Sequence, residues 1–270
     1  MSGKVYIVGA GPGAVDLLTL RAASLLRAAQ VVLYDDLVPQ EILDLCPASA
    51  QIINVGKRCG RRGTSQEQIN ALMVWHAADT QAQTIVRLKS GDPAVFGRLG
   101  EELDALRLAG VEFDIVPGVT AASAAAAAAR ITLTDRHAAS TLMVITAHNI
   151  RGEKLRAEGF NPARTTLAVY MPGPNYERTA RELMESGVDS STPCVLVSNA
   201  GRSNQQRCFM VLADLPFLSG LPPALLIVGE VARHVPGEKG DDLNEILVSA
   251  SGILDDDFSP AHRIQAVAQS

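Results

Sequence analysis

Two turns in the first half of this chain carry the residue types that chemistry needs. An apolar run at residues 5–8 leads into Gly9-x-Gly11-x-x-Ala14, and a second apolar run ends in Asp35. Glycines at that spacing suit a strand-to-helix turn that cradles a pyrophosphate, with an acid roughly 20 residues on for a ribose hydroxyl. A nicotinamide-dependent dehydrogenase is therefore one reading. Glycines that only make a tight turn are another. Pro12 weighs against the dinucleotide, because it removes a backbone N–H from the turn that would hold phosphates. S-adenosylmethionine has no phosphate, so a methyltransferase loses nothing by that proline. The second turn is Ser90-Gly91-Asp92. A carboxylate placed there suits the amino group or ribose hydroxyls of a cofactor. The alternative is an ordinary turn in which Asp92 caps a helix near Phe96.

These turns need elements to position them. Short β-branched runs at residues 4–8, 31–34, 51–55, 84–88 and 112–116 predict strands. Helical patterns at 16–29, 40–46, 65–78 and 99–109 lie between them. Strands alternating with helices imply βαβ units and a mostly parallel sheet, whose ligands sit beyond the carboxyl ends of the strands. Both turns fall at such ends. After Pro117-Gly118 comes Thr120, then AASAAAAAA, then Arg130. Alanine favours helix, and small side chains allow either close packing on a sheet or close approach of a bulky cofactor. Further strands are expected at 141–146, 166–170, 194–198, 206–212 and 224–228, with one long helix at 177–186. Short links between those strands suggest a mixed sheet. The expected division is an N-terminal α/β domain at 1–117, a C-terminal α/β domain at 118–239 that completes a cofactor cleft, and a tail at 240–270.

Composition narrows the function. The chain has 270 residues, 47% hydrophobic and 20% charged, which describes a folded globular protein. A net charge of −5 and only 4% aromatics argue against nucleic-acid partners. The four cysteines show no metal or disulfide spacing, so no metal site is expected. The N-terminus does not read as a signal peptide, and no apolar run approaches the roughly 20 residues of a membrane span. The expectation is a soluble, cytoplasmic protein.

Several ordered segments carry a resemblance. VYIVGAGPGAVDLLTLRA, VVLYDDLV (31–38), VGKRCG (55–60), VRLKSGDPAVFGRLGEE (86–102) and VPGVTAASAAAAAARITLTDR (116–136) closely resemble the tetrapyrrole methylase family. Weaker echoes follow at LAVYM, TPCVLVSNAG and PPALLIVGEVAR, so the similarity covers roughly residues 3–235. The FGR and TDR elements are similar to the branch that C-methylates uroporphyrinogen III to precorrin-2 for sirohaem, cobalamin or haem d1. The resemblance implies a two-domain fold, S-adenosylmethionine as methyl donor with S-adenosylhomocysteine as product, a tetrapyrrole acceptor and a homodimer. It places the cofactor against Pro12, Ser90, Gly91, Asp92, Val95, Thr120, Ala121, Met171 and Ala200, with a one-residue shift to Gly201 also open. It gives Asp35 as proton acceptor, Lys57 as proton donor and Arg98 as a suggested base. An arginine is a poor base, since it is hard to deprotonate.

Eight acceptor carboxylates call for cations. Lys57, Arg58, Arg61 and Arg62 form a basic run, which is otherwise a solvated face. Arg98 and Arg136 match family acceptor-binding positions, and Glu101 follows Arg98 at a spacing that lets it orient the guanidinium. Asp35 has its own plainer alternative, a cap or a salt bridge to a neighbouring arginine. Asp36, Ser90, Ala94, Leu99, Asp135, Ala147 and Pro172 depart from the family pattern. Asp36 and Asp135 add negative charge near a site for a polyanion. A related corrin-ring methyltransferase and a family member that binds without catalysing therefore stay open.

Overall fold

The computed structural model describes residues 3–56, 64–79, 83–147, 154–173, 176–218 and 222–233. In the first half, β1 (Lys4–Gly9), β2 (Val31–Tyr34), β3 (Gln51–Asn54), β4 (Thr84–Lys89) and β5 (Phe113–Val116) form one parallel sheet. Its order is β3-β2-β4-β1-β5. A dinucleotide fold sets β1 beside β2. Here β4 lies between them, so the glycine turn after β1 faces the turn after β4 rather than a phosphate cradle.

Helices α1 (Leu20–Ala28), α2 (Gln40–Leu43), α3 (Gln66–Ala78) and α4 (Leu99–Leu108) link the strands. On one face Val8, Val32, Val86 and Leu88 pack with Ala22, Leu26, Ile42 and Leu43. On the other Ile7, Leu33 and Ile85 pack with Ile69, Met73 and Leu106. Sheet burial on both faces is what a parallel sheet requires.

The expected helix at 16–29 divides. Val15–Leu17 forms a single 3-10 turn, and α1 starts only after Thr19, whose hydroxyl accepts from Ala22 N at 3.1 Å. A cap at Thr19 gives the first turn of α1 its partner and so fixes the start. The expected helix at 40–46 stops at Leu43, ahead of Pro47. Ser65 and Gln68 form a reciprocal capping box at the start of α3.

The second sheet comprises β6 (Thr141–Thr146), β7 (Thr165–Tyr170), β8 (Pro193–Ser198), β9 (Gln206–Val211) and β10 (Ala224–Val228), in the order β6-β7-β10-β8-β9. Only the β6–β7 pair is parallel, so the sheet is mixed as expected. The alanine helix α5 (Ala121–Ala129) lies on one face, with Ala122, Ala125, Ala126 and Ala129 against Ala168, Val195, Val197 and Ile227. α6 (Tyr176–Glu185) covers the other face through Tyr176, Ala180 and Leu183.

Backbone contact closes the carboxyl end of the first sheet. A Cβ on Gly9 would sit 2.6 Å from Gly118 N and 2.7 Å from Gly91 O; one on Gly118 would sit 2.4 Å from Gly91 O. Gly11 and Gly91 exchange main-chain hydrogen bonds of 3.2 and 2.8 Å. Gly118→Ala is therefore expected to destabilise by about 3 kcal/mol or more, since backbone on both sides has nowhere to go. Gly100→Ala, inside α4 with nothing within 4 Å of the new carbon, is expected to stabilise by about 0.5 kcal/mol. Urea unfolding of the two variants checks the contrast.

Candidate active site

A cavity of about 410 Å³ opens beyond the carboxyl ends of β1, β2 and β4, roofed by the start of α5 and the ends of β7, β8 and β10. Such a volume suits a nucleoside-sized ligand. Every residue expected around the cofactor lines it, from Pro12 and the 90–92 turn through Val95, Thr120 and Ala121 to Met171 and Ala200. Ala200 faces the cavity, whereas Gly201 packs against Pro12, with a Cβ there meeting Pro12 Cγ at 3.0 Å. Pro12, Val95, Ala121, Met171 and Ala200 give the cavity an apolar wall, and the lack of a side chain at Gly91 lets a ligand meet backbone. These residues fit a sulfonium nucleoside.

The polar side chains are placed by short-range geometry. Asp92 Oδ1 accepts from Ala94 N at 2.8 Å, and Oδ2 accepts from Gly118 N at 3.0 Å. Its carboxylate thus ties the β4 turn to the link before α5. α4 begins at Leu99 with Arg98 at its N-cap, so Asp92 does not cap it, and the cap reading gives way to this tie. Tyr170, which sequence reasoning missed, hydrogen-bonds Thr120 Oγ1 at 2.5 Å and accepts from Ala122 N at 3.0 Å. It serves as the cap of α5 from a strand 50 residues away. Phe96 tilts against its ring at 5.1 Å. Phe96, Arg98 and Met171 all line the cavity with φ of 52°, 54° and 49°. Left-handed backbone at non-glycine residues costs about 1–3 kcal/mol each and gathers at functional sites.

Asp35 lines the cavity and receives Arg87 Nη2 at 2.6 Å. Arg87 is buried, and its Nε donates to Glu102 Oε1 at 3.0 Å. Lys89 Nζ donates to the same oxygen at 2.8 Å. Gln66 Nε2 reaches it at 3.3 Å. Sequence reading missed Arg87, Lys89 and Glu102. Alternation puts Ile85, Arg87 and Lys89 on one face of β4, but only the register, in which Leu33 pairs with Arg87, shows that Asp35 points the same way. Burial depresses the proton affinity of Arg87, but attraction to Asp35 and Glu102 outweighs it and holds the pKa above the usual value. Burial, reinforced by the Arg87 charge, pushes the Lys89 ammonium below its usual range despite Glu102.

Arg98 lines the cavity and is gripped by Glu101, Nε to Oε1 at 2.8 Å and Nη2 to Oε2 at 2.7 Å. The hydrogen bond with Glu101 raises the Arg98 pKa and lowers that of Glu101. Arg136 is exposed on the link between α5 and β6 and is not among the cavity-lining residues. Lys57 and the rest of the basic run at 58, 61 and 62 lie outside the described residues. Asp135 turns inward on its own loop, with Oδ1 accepting from His137 N at 2.7 Å and Ala138 N at 2.9 Å, and those bonds lower its pKa. Asp36 lines the cavity and accepts from Asn54 Nδ2 at 2.9 Å. Among the described residues no group of His, Cys, Asp and Glu could hold a metal ion.

The model of the tetrapyrrole (corrin/porphyrin) methylases matches residues 4–216. The chain belongs to this family. Among curated tetrapyrrole methylases, it is 42% identical over 239 residues to a uroporphyrinogen-III C-methyltransferase of Pseudomonas aeruginosa, covering 87% of this chain and 96% of that one. It is 44% identical over 236 residues to the Paracoccus denitrificans protein of the same name, covering 85% of this chain and 82% of that one. A solved uroporphyrin-III C-methyl transferase from Thermus thermophilus, complexed with S-adenyl homocysteine, superposes with a TM-score of 0.73 at 38% identity, over 85% of this chain and 98% of that one. A tetrapyrrole methylase needs no pyrophosphate cradle, and none is built after β1.

The buried charges give the site a measurable signature. Glu102→Gln would leave Arg87 and Lys89 without their shared counter-charge and is expected to cost about 3–5 kcal/mol. Lys89→Met in the Glu102→Gln background removes one of the stranded cations and is expected to recover part of that loss. Urea unfolding of the single and double variants tests both.

Proposed function

We propose that this chain transfers methyl groups from S-adenosylmethionine to carbon atoms of uroporphyrinogen III, giving precorrin-2 by way of precorrin-1, in the cytoplasm and as a homodimer. The observation that carries the reading is the single cavity in which the expected cofactor wall meets Asp35 and Arg98, in a chain 42–44% identical to curated enzymes of that activity. No helix among the described residues is long and apolar enough to cross a membrane, in keeping with a water-soluble acceptor.

The cofactor supplies an electrophilic methyl on a sulfonium, whose charge disperses as the methyl leaves. The apolar wall of Pro12, Val95, Ala121, Met171 and Ala200 keeps water out and holds the methyl in line, which favours displacement. Ser90, Gly91 and Thr120 offer main-chain and hydroxyl groups to the nucleoside. Asp92, occupied by two backbone N–H groups, shapes the turn and is a weaker candidate for direct contact. Asp35 takes the proton that leaves the bridging carbon next to the new methyl, one proton out for each methyl that arrives; Lys57 keeps the proton-donor role that the family resemblance gives it, without changing that balance. Arg98 binds an acceptor carboxylate; its bidentate grip by Glu101 and raised pKa speak against proton removal at that guanidinium. Arg136, exposed on the link between α5 and β6, keeps the acceptor-binding role that the family resemblance gives it.

An anaerobic assay with S-adenosylmethionine and uroporphyrinogen III, followed by the visible spectrum of the product, tests the reading; no turnover by the wild type would sink it. Asp35→Asn is expected to lower turnover by about 10²–10⁴-fold with S-adenosylhomocysteine affinity unchanged. Arg98→Ala is expected to lower acceptor kcat/KM by about one to two orders of magnitude, again without touching cofactor affinity.

A further inference from the structure

Among the described residues four cations line the cavity: Arg87, Lys89, Arg98 and Arg202. The first three have carboxylate partners at 2.6–3.0 Å in Asp35, Glu102 and Glu101. Arg202 is held differently. It comes from the link between β8 and β9, and its side chain lies across Gly13, where a Cβ would meet its Nε at 2.7 Å and its Cγ at 2.9 Å. Nε donates to Pro12 O at 3.3 Å, and Nη2 donates to Leu37 O at 2.5 Å. Both partners are neutral carbonyls. No carboxylate among the described residues lies within ion-pair distance of this guanidinium. Burial holds its pKa below the usual arginine range, and the more distant pull of Glu41 does not restore it.

A guanidinium carries five N–H groups in a planar fork. Those two bonds occupy two of them and fix the plane between the cofactor turn and the loop that follows Asp35. The remaining donors are held beside the cavity with no carboxylate in ion-pair contact among the described residues, a placement that is costly until an anion arrives and well shaped for a carboxylate when one does.

We propose that Arg202 is a carboxylate-binding residue of this cavity. The proposal rests on the methyltransferase reading, which brings two sources of that group: the methionyl end of the cofactor and the acid side chains of the acceptor.

Calorimetry with S-adenosylhomocysteine and with 5′-methylthioadenosine separates the possibilities, because the second compound keeps the nucleoside and thioether and lacks the carboxylate. Arg202→Gln retains an amide donor for the carbonyls and removes the charge. If the carboxylate is the cofactor's, Arg202→Gln weakens S-adenosylhomocysteine about tenfold to a hundredfold and leaves 5′-methylthioadenosine unchanged. If it is the acceptor's, both nucleosides bind as in wild type and acceptor kcat/KM falls by a similar factor. Equal weakening of the two nucleosides, or no change in any of the three measurements, overturns the proposal and leaves Arg202 as a tie between loops. Arg202→Met gives the same comparison without the amide. A wild type that binds neither nucleoside refutes the methyltransferase reading itself, an outcome visible before any variant is made.

Discussion

One oxygen atom, Glu102 Oε1, carries the electrostatic balance of the site. It accepts from Arg87, Lys89 and Gln66, and so joins α3, α4 and β4 in a region that excludes water. Its companion Oε2 is buried with no hydrogen-bond partner among the described residues, so all three donors converge on one side of the carboxylate. Two cations on an inner strand face would each cost several kcal/mol if left alone. Around Glu102 they become a scaffold, and Arg87 extends that scaffold to Asp35 on the cavity wall. The acid proposed to take the proton is therefore set by α4, an element that does not touch it.

The cofactor side is set by backbone rather than by charge. Gly9, Gly91 and Gly118 bring three strand ends within contact of one another, and Asp92 fastens the result through Gly118 N. Tyr170 does the corresponding task from the second sheet by capping α5. The two halves thus meet through small residues and main-chain hydrogen bonds, with Gly201 against Pro12 and Arg202 across Gly13. Close approach of this kind leaves little room for slack at the place where the nucleoside is proposed to lie.

Much of this was legible beforehand, for particular reasons. Strands such as 31–34 and 141–146 were readable because β-branched residues run between clear breaks. That the residues expected around the cofactor line one cavity was readable because they sit in contiguous motifs at strand ends. Arg87 and Lys89 were not singled out, because their inward direction follows from strand register, which is a property of pairing and not of local composition. The role of Asp92 was hidden for a similar reason: its second partner lies 26 residues away. Tyr170 and Arg202 belong to the second half, where the motifs are weaker and the contacts reach across to the first. The helix expected from 16 was cut short by Thr19, since apolar periodicity continues through a segment whose local cap starts the helix later. Arg136 matched a motif, yet motif position does not reveal that its link holds it at the surface.

The alanine helix α5 has a consequence for how a ligand is received. Alanine has no rotamers to lose, so docking α5 onto the second sheet freezes no side-chain entropy there. For the same reason its first residues present a wall without movable parts. A ligand resting against Ala121 meets a surface already in its final shape, and none of its binding free energy goes into ordering that part of the protein. Selectivity at this wall is consequently one of outline: a group that fits is accepted at once, and a larger one finds no side chain able to swing aside.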